Sequence, residues 1–225
     1  MHKFIDDKHD IDSCMDVWDG LYKSVYPKYF GEWFDFSKIE DDETSITCKR
    51  WYIKLRKDNN IIQTYPKFKM AGDCIFNFNT KKENIFNSYI GNSIKGKELL
   101  KKCTNMHHSF ENFAFMPITG GMNNQKGRHI LDRPDIHIKE IYRYFNNEDS
   151  KIFSNARWNK EALTWYLSLF DNDIYKYFSM VYLIDDRDFI NNEFLPFADV
   201  EINNEITAVQ YMELALKFWN KRNIK

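Results

Sequence analysis

The recurrence of apolar residues along the chain separates helical from extended stretches. In "DIDSCMDVWDGLYKSVY", Ile11, Met15, Trp18, Leu21, Tyr22 and Val25 recur at helical spacing, and Asp10 or Asp12 stands where an N-cap belongs. "DETSITCKRWYIKLRK" repeats that pattern through Ile46, Trp51, Tyr52 and Leu55, which predicts a second helix with its Lys and Arg residues on the wet face. Between them "FGEWFDFSK" is too aromatic for a solvated loop and is expected to pack across the core. The period then changes. "GDCIFNFN" alternates and reads as a short strand, and "NFAFMPI" is a second one. Pro117 cannot donate to a ladder, so that strand ends there or lies at an edge.

Beyond Asp135 the helical period returns. Ile138, Ile141, Tyr142 and Phe145 fall on one face, as do Ala162, Trp165, Tyr166, Leu169 and Phe170 in the next helix. "DIYKYFSMVYLI" is apolar all round and predicts a buried helix. "EFLPFADVEI", with Pro196, reads as an extended connection. A last helix begins after Asn203-Asn204 and is expected to bury Ile206, Val209, Met212, Leu216 and Trp219. The expected fold class is α+β: a mostly α-helical single domain with a small β element in the middle of the chain. Residues 1–225 then form one domain, with 1–30 an acidic helical segment packed on it.

Composition adds limits. The chain of 225 residues is 43% hydrophobic and 17% aromatic, enough for a sizeable core, and its net charge of −1 gives no global attraction to nucleic acid or anionic lipid. The charge is uneven. Met1 to Thr47 holds twelve Asp/Glu against five Lys, whereas Met116 to Arg133 is locally basic. Cys14, Cys48, Cys74 and Cys103 make no CxxC pair, which argues for reduced thiols rather than a disulfide framework or a zinc site. The start "MHKFIDDKHD" has no apolar signal core and no run is long enough to span a bilayer, so a cytoplasmic protein with no membrane partner is expected.

The chemistry concentrates in "HHSFENFAFMPITGGMNNQKGRHILDRPD", His107 to Asp135. Gly120 and Gly121 free the backbone, so that their amides and those of Met122 to Asn124 can form an anion-binding nest behind Thr119. Lys126, Arg128 and Arg133 supply the charge a phosphate or carboxylate needs, and Asn123 and Asn124 supply donors and acceptors. The Walker spacing is missing. The competing reading is a demanding turn: the asparagines close Asx turns, and Asp132 pairs with Arg133 or caps the next helix. His107, His108, Asn112 and Asp132 are the candidate catalytic groups, with a histidine as proton carrier. Cys103 lies one helical turn before His107, within reach of a Cys-His pair. Two histidines with Asp132 or Asp135 have ligand chemistry for a metal, yet no HExxH or Cys-His cluster supplies the spacing, and no metal or cofactor is expected.

"NFAFMP", Asn123, Lys126-Gly127, "DRPD" and the aromatic helix "IYRYF" together resemble a family of small bacterial proteins catalogued as a domain of unknown function. "FDFSK" and "FLPFADV" extend the likeness over most of the chain from Phe34 onward. Pro134 departs from the aromatic that family carries between Arg133 and Asp135. The resemblance implies a fold and a focus on the central segment, and no activity. A second resemblance is to HNH-type nucleases of restriction and phage-defence systems. There Asn112 takes the place of the Asn before an apolar strand, but the upstream Asp-His motif has no counterpart. Three readings follow: a nucleic-acid- or nucleotide-directed protein of a bacterial defence or toxin type; a non-catalytic protein-interaction module using aromatic surface at Trp18, Trp33 and Trp51; or a small-molecule or metal enzyme with a deep pocket.

Overall fold

Four antiparallel strands lie side by side in chain order in the computed structural model, which describes residues 18–37, 40–41, 51–54, 69–117, 131–153 and 160–224. They are β1 (Glu40–Asp41), β2 (Trp51–Lys54), β3 (Lys69–Cys74) and β4 (Phe113–Pro117). The β3/β4 pairing is the longest, running from Met70 opposite Pro117 to Cys74 opposite Phe113. β4 is an edge strand, the position that a chain ending in Pro117 tolerates. "WYIK" therefore forms a strand and not the predicted helix. Two aromatics followed by a β-branched residue suit a pleated ribbon, and the pairing with β3 overrides the helical spacing. β3 also starts earlier than the alternation in "GDCIFNFN" suggests, so Ile75 to Phe78 run beyond the ladder.

All five residues of β4 are buried. Phe115 explains much of this. Its ring lies 5.2–5.9 Å from those of Tyr22, Tyr26, Phe30, Phe34 and Phe36, so the aromatic N-terminal stretch folds over the strand as its composition predicts. Leu21, Tyr22, Val25, Tyr26 and Phe30 belong to the same buried cluster as the C-terminal helix, so this stretch shares one core with the rest.

The described residues include five longer helices: α1 (Thr80–Ile90), α2 (Ile94–His107), α3 (Pro134–Phe145), α4 (Lys160–Ser168) and α5 (Glu205–Lys221). Side chains cap the starts of α1, α2 and α5. Asn79 accepts from Lys82 N at 3.1 Å, Ser93 accepts from Gly96 N at 3.1 Å, and Asn204 makes a capping box with Thr207. Gly96 also lets α2 approach α1, since a Cβ there would meet Ile90 Cβ at 2.9 Å. Pro134 sits in the first turn of α3, where its missing amide is no loss and its fixed φ suits a helix start.

Between α4 and α5 the chain makes short helical turns, Ile174–Tyr177, Phe178–Tyr182, Arg187–Phe189, Ile190–Phe194 and Leu195–Phe197. The stretch around Pro196 is thus helical rather than extended, because the proline again occupies a first turn. α5 buries Ala208, Tyr211, Met212, Leu214, Ala215, Phe218 and Trp219. Ile206, expected inside, is 71% exposed, since the buried stripe begins at Ala208. The architecture is a mostly helical α+β fold. Among the described residues no helix is long and apolar enough to cross a membrane.

Candidate functional site

Thr119, Gly120, Gly121, Asn123, Asn124, Lys126 and Arg128 lie outside the described residues. The residues that flank them are described, and they form two polar braces, one before β4 and one before α3.

The first brace is Asn112, fully buried in the turn Phe110–Asn112 that feeds β4. Its Oδ1 accepts from Phe76 N at 2.9 Å and from Trp219 Nε1 at 3.0 Å. Its Nδ2 donates to Phe76 O at 2.8 Å and to His107 O at 2.9 Å. One amide thus satisfies four groups from the exit of β3, the end of α2 and the end of α5. Its backbone carbonyl also accepts from Ile75 N at 2.7 Å. These bonds commit Asn112 to the fold and take it away from the catalytic role expected of it on sequence.

His107 is the last residue of α2 and is nearly buried. Its Nδ1 accepts from Phe78 N at 3.4 Å, which requires that nitrogen to be unprotonated. The His108 ring stands 4.5 Å from it, centroid to centroid, and is the more exposed of the two. Cys103 shares the buried face of α2 with His107, but its thiol points to Met212 O, 3.7 Å away, and burial pushes its pKa upward. A thiol so raised is no ready nucleophile.

The second brace begins at Asp132, which adopts φ +52°, a conformation Asp tolerates better than most residues. Its carboxylate accepts from Asn77 Nδ2 at 2.5 Å and from Lys82 Nζ at 3.3 Å, and its carbonyl accepts from Tyr211 OH at 3.4 Å. Asp132 therefore pairs with Lys82 on α1, not with its neighbour Arg133. Arg133 pairs with Asp135 instead: Nε lies 2.8 Å from Oδ1 and Nη2 also bonds the carboxylate. The guanidinium further donates to Val200 O at 3.0 Å and Phe197 O at 3.1 Å, and it stacks on the rings of Phe197 and Tyr211. Burial opposes this charge, but the hydrogen bonds and charge of Asp135 outweigh burial and raise the Arg133 pKa. Arg133 is 5% exposed and Asp135 fully buried, so this pair is a structural clamp and Arg133 is spent as a phosphate ligand.

No family model, curated protein or solved structure matches the chain. The reading of the site therefore rests on its own geometry. Among the described residues, no three His, Cys, Asp or Glu side chains gather to hold a metal ion. Lys82, Asn77 and Tyr211, which fix Asp132, went unnamed in the sequence reading. The Asn79 cap that begins α1 was the signal available for the first two. Of the tryptophans offered as exposed surface, Trp33 packs half-buried against the core, and the Trp18 and Trp51 side chains lie outside the described residues.

Proposed function

We propose that the chain is a nucleic-acid- or nucleotide-directed protein, of a bacterial defence or toxin type, which binds phosphate through Lys126 and Arg128. What carries the reading is the bracing at both ends of residues 118–130. Pro117 closes a buried strand behind Asn112, and past the segment Leu131 is buried while Asp132 and Arg133 are held by their own hydrogen bonds. A segment with two glycines, two asparagines and two cations between such anchors is economical for binding, because fixed ends lower the ordering cost of grasping a ligand. Thr119, Gly120, Gly121, Asn123 and Asn124 supply the uncharged donors in this reading. His108 is the better-placed proton carrier of the histidine pair, being the more exposed. The defence or toxin assignment leans on the likeness to HNH-type nucleases, and the commitment of Asn112 to the core weakens the catalytic part of it.

The test is fluorescence anisotropy of labelled single strands and duplexes, with nucleotides as competitors, on the full chain and on Lys126→Ala/Arg128→Ala. Removing two phosphate contacts shrinks the slope of log K against log salt by about 1.4 on single strands and about 1.8 on duplex. Absence of binding by the wild-type chain, or an unchanged slope in the double variant, rejects the proposal. In the first case the interaction-module reading takes its place; in the second the phosphate contacts lie elsewhere on the chain.

A further inference from the structure

α2 turns one face inward and leaves the other without a partner. Gly96, Leu100, Cys103 and His107 recur at helical spacing and are buried, and the helix packs on α1 and α5. The opposite stripe, Ile94, Lys97, Lys101, Lys102 and Asn105, is exposed, with Ile94 77% accessible. Among the described residues no ion pair or side-chain hydrogen bond engages Lys97, Lys101 or Lys102. Lys95, Lys176, Lys217 and Lys221 differ, for each holds a carboxylate. Glu98 lies one turn before Lys102, yet no lysine among the described residues pairs with it.

These charges do not serve the helix. Its first turn carries Lys95 and Lys97 and no acid, at the end where the backbone dipole is already positive. Lys97 and Lys101, one turn apart, repel one another. From Lys97 to Lys102 the three ammonium groups spring from about 7.5 Å of helix axis, a density of charge that an external anion would relieve. The stripe also selects among polyanions. It holds no aromatic ring on which an unpaired base could stack, so it does not suit a single strand. Ile94 alone is too little to anchor on lipid, because the apolar side of α2 is spent on the core. Lysines act as point charges on phosphate oxygens, and Asn105 adds an uncharged donor. We infer that the exposed face of α2 is a contact surface for the phosphate backbone of duplex nucleic acid, with Lys97, Lys101 and Lys102 each neutralising one phosphate. The kind of partner rests on the nucleic-acid reading, but the surface shares no residue with Lys126 and Arg128.

The experiment is anisotropy of a labelled duplex against salt, with the full chain, Lys97→Gln/Lys101→Gln/Lys102→Gln, Lys126→Ala/Arg128→Ala and Glu98→Gln, and with phosphatidylserine vesicles as a second probe. The triple variant loses about 2.7 from the slope of log K against log salt and melts no lower than wild type, since the lysines it removes hold nothing in the fold. Glu98→Gln tightens the duplex. An unchanged slope in the triple variant overturns this inference and leaves the Lys126 and Arg128 reading standing. A slope lost in the triple variant but kept in Lys126→Ala/Arg128→Ala does the reverse. A wild-type chain that binds no duplex overturns both, and vesicle binding that depends on the three lysines then assigns the face to lipid.

Discussion

Replacing Asn112 by alanine separates a structural brace from a catalytic group. The substitution deletes four buried hydrogen bonds, to Phe76 N, Phe76 O, His107 O and Trp219 Nε1. At a net value of about 1 kcal/mol each, the loss is about 4 kcal/mol. The true figure rises if the four orphaned groups stay dry and falls if water enters the space left. Against a typical stability of about 5–15 kcal/mol this is a large fraction. For a chain of this size it lowers Tm by about 8–16 °C. Urea titrations followed by tryptophan fluorescence and far-UV circular dichroism measure it.

Asn112→Asp sharpens the test. The shape is kept and an acceptor still faces Phe76 N and Trp219 Nε1, but the two donors to carbonyl oxygens are gone and a charge is buried. At neutral pH this variant is at least as unstable as Asn112→Ala. Its carboxyl pKa is raised on folding, so the penalty is smallest in acid and grows as pH rises from the unfolded value toward the folded one. A substrate-orienting asparagine with no structural duty behaves differently: stability stays within about 1 kcal/mol of wild type while nucleic-acid processing disappears. That outcome refutes the bracing account.

Three further expectations follow from the same contacts. Arg133→Met strands a fully buried Asp135 and costs about 3–5 kcal/mol, whereas Arg133→Met/Asp135→Leu recovers part of it. A single variant as stable as wild type in urea contradicts the clamp. Asp132→Gly and Asp132→Ala lose the same ties to Asn77 and Lys82, but glycine relieves the φ of +52°, so it is the milder change by about 1 kcal/mol. Equal stabilities deny that the turn is strained. Asp186 is held below the usual aspartate range, first by its hydrogen bond from Lys221 and next by Phe189 N. Its contribution is therefore present above the unfolded pKa and disappears as pH falls through the lower folded value. Lys221→Met flattens that acid limb in melts taken between pH 5 and pH 2, and an unchanged limb shows that the pair is uncoupled from folding.

The parts of the fold legible in the letters were those whose apolar period was strong. α3, α4 and α5 follow their i, i+3, i+4 patterns, and the aromatic run from Phe30 to Phe36 packs where its composition demands. α1 and α2 escaped, because Lys, Asn, Glu and Thr make up about half of each and each buries only a few residues, among them Phe86, Ile90, Leu100 and Cys103. Caps rather than hydrophobicity mark them: Asn79 and Ser93 open the helices and Gly91 closes the first at φ +53°. "WYIK" was misread because four residues fit either period, and only the partner strand decides. The central segment was singled out for its polar residues, but letters alone do not distinguish a side chain aimed at a ligand from one aimed at a neighbouring carbonyl. Arg133 has the same composition-level signature as Arg128. Its tie to Asp135 two positions on is an i, i+2 contact at a helix start, which the i, i+3 and i, i+4 spacing of a helix does not reveal.

The bracing residues also set what a functional claim here must explain. Asn112, Asp132 and Arg133, three of the residues that made this stretch look like a functional centre, are spent on the fold, and each reaches a different distant element. Asn112 holds Trp219 on α5, Asp132 holds Lys82 on α1, and Arg133 holds the Phe197–Val200 turn. Apolar packing alone would hold β4 and α3 at lower desolvation cost, since buried ion pairs are a weak source of stability. Their physical advantage is direction: hydrogen bonds fix angle and register where apolar contacts permit sliding. In the chain, Lys126 and Arg128 fall between these two braces. If they bind phosphate as proposed, loosening a brace weakens that binding more than an equally destabilising cavity elsewhere. Asp132→Ala compared at matched stability with Ile174→Val, in the short turn preceding Phe178, is the direct comparison. Equal anisotropy curves for the two would mean that the braces serve stability alone.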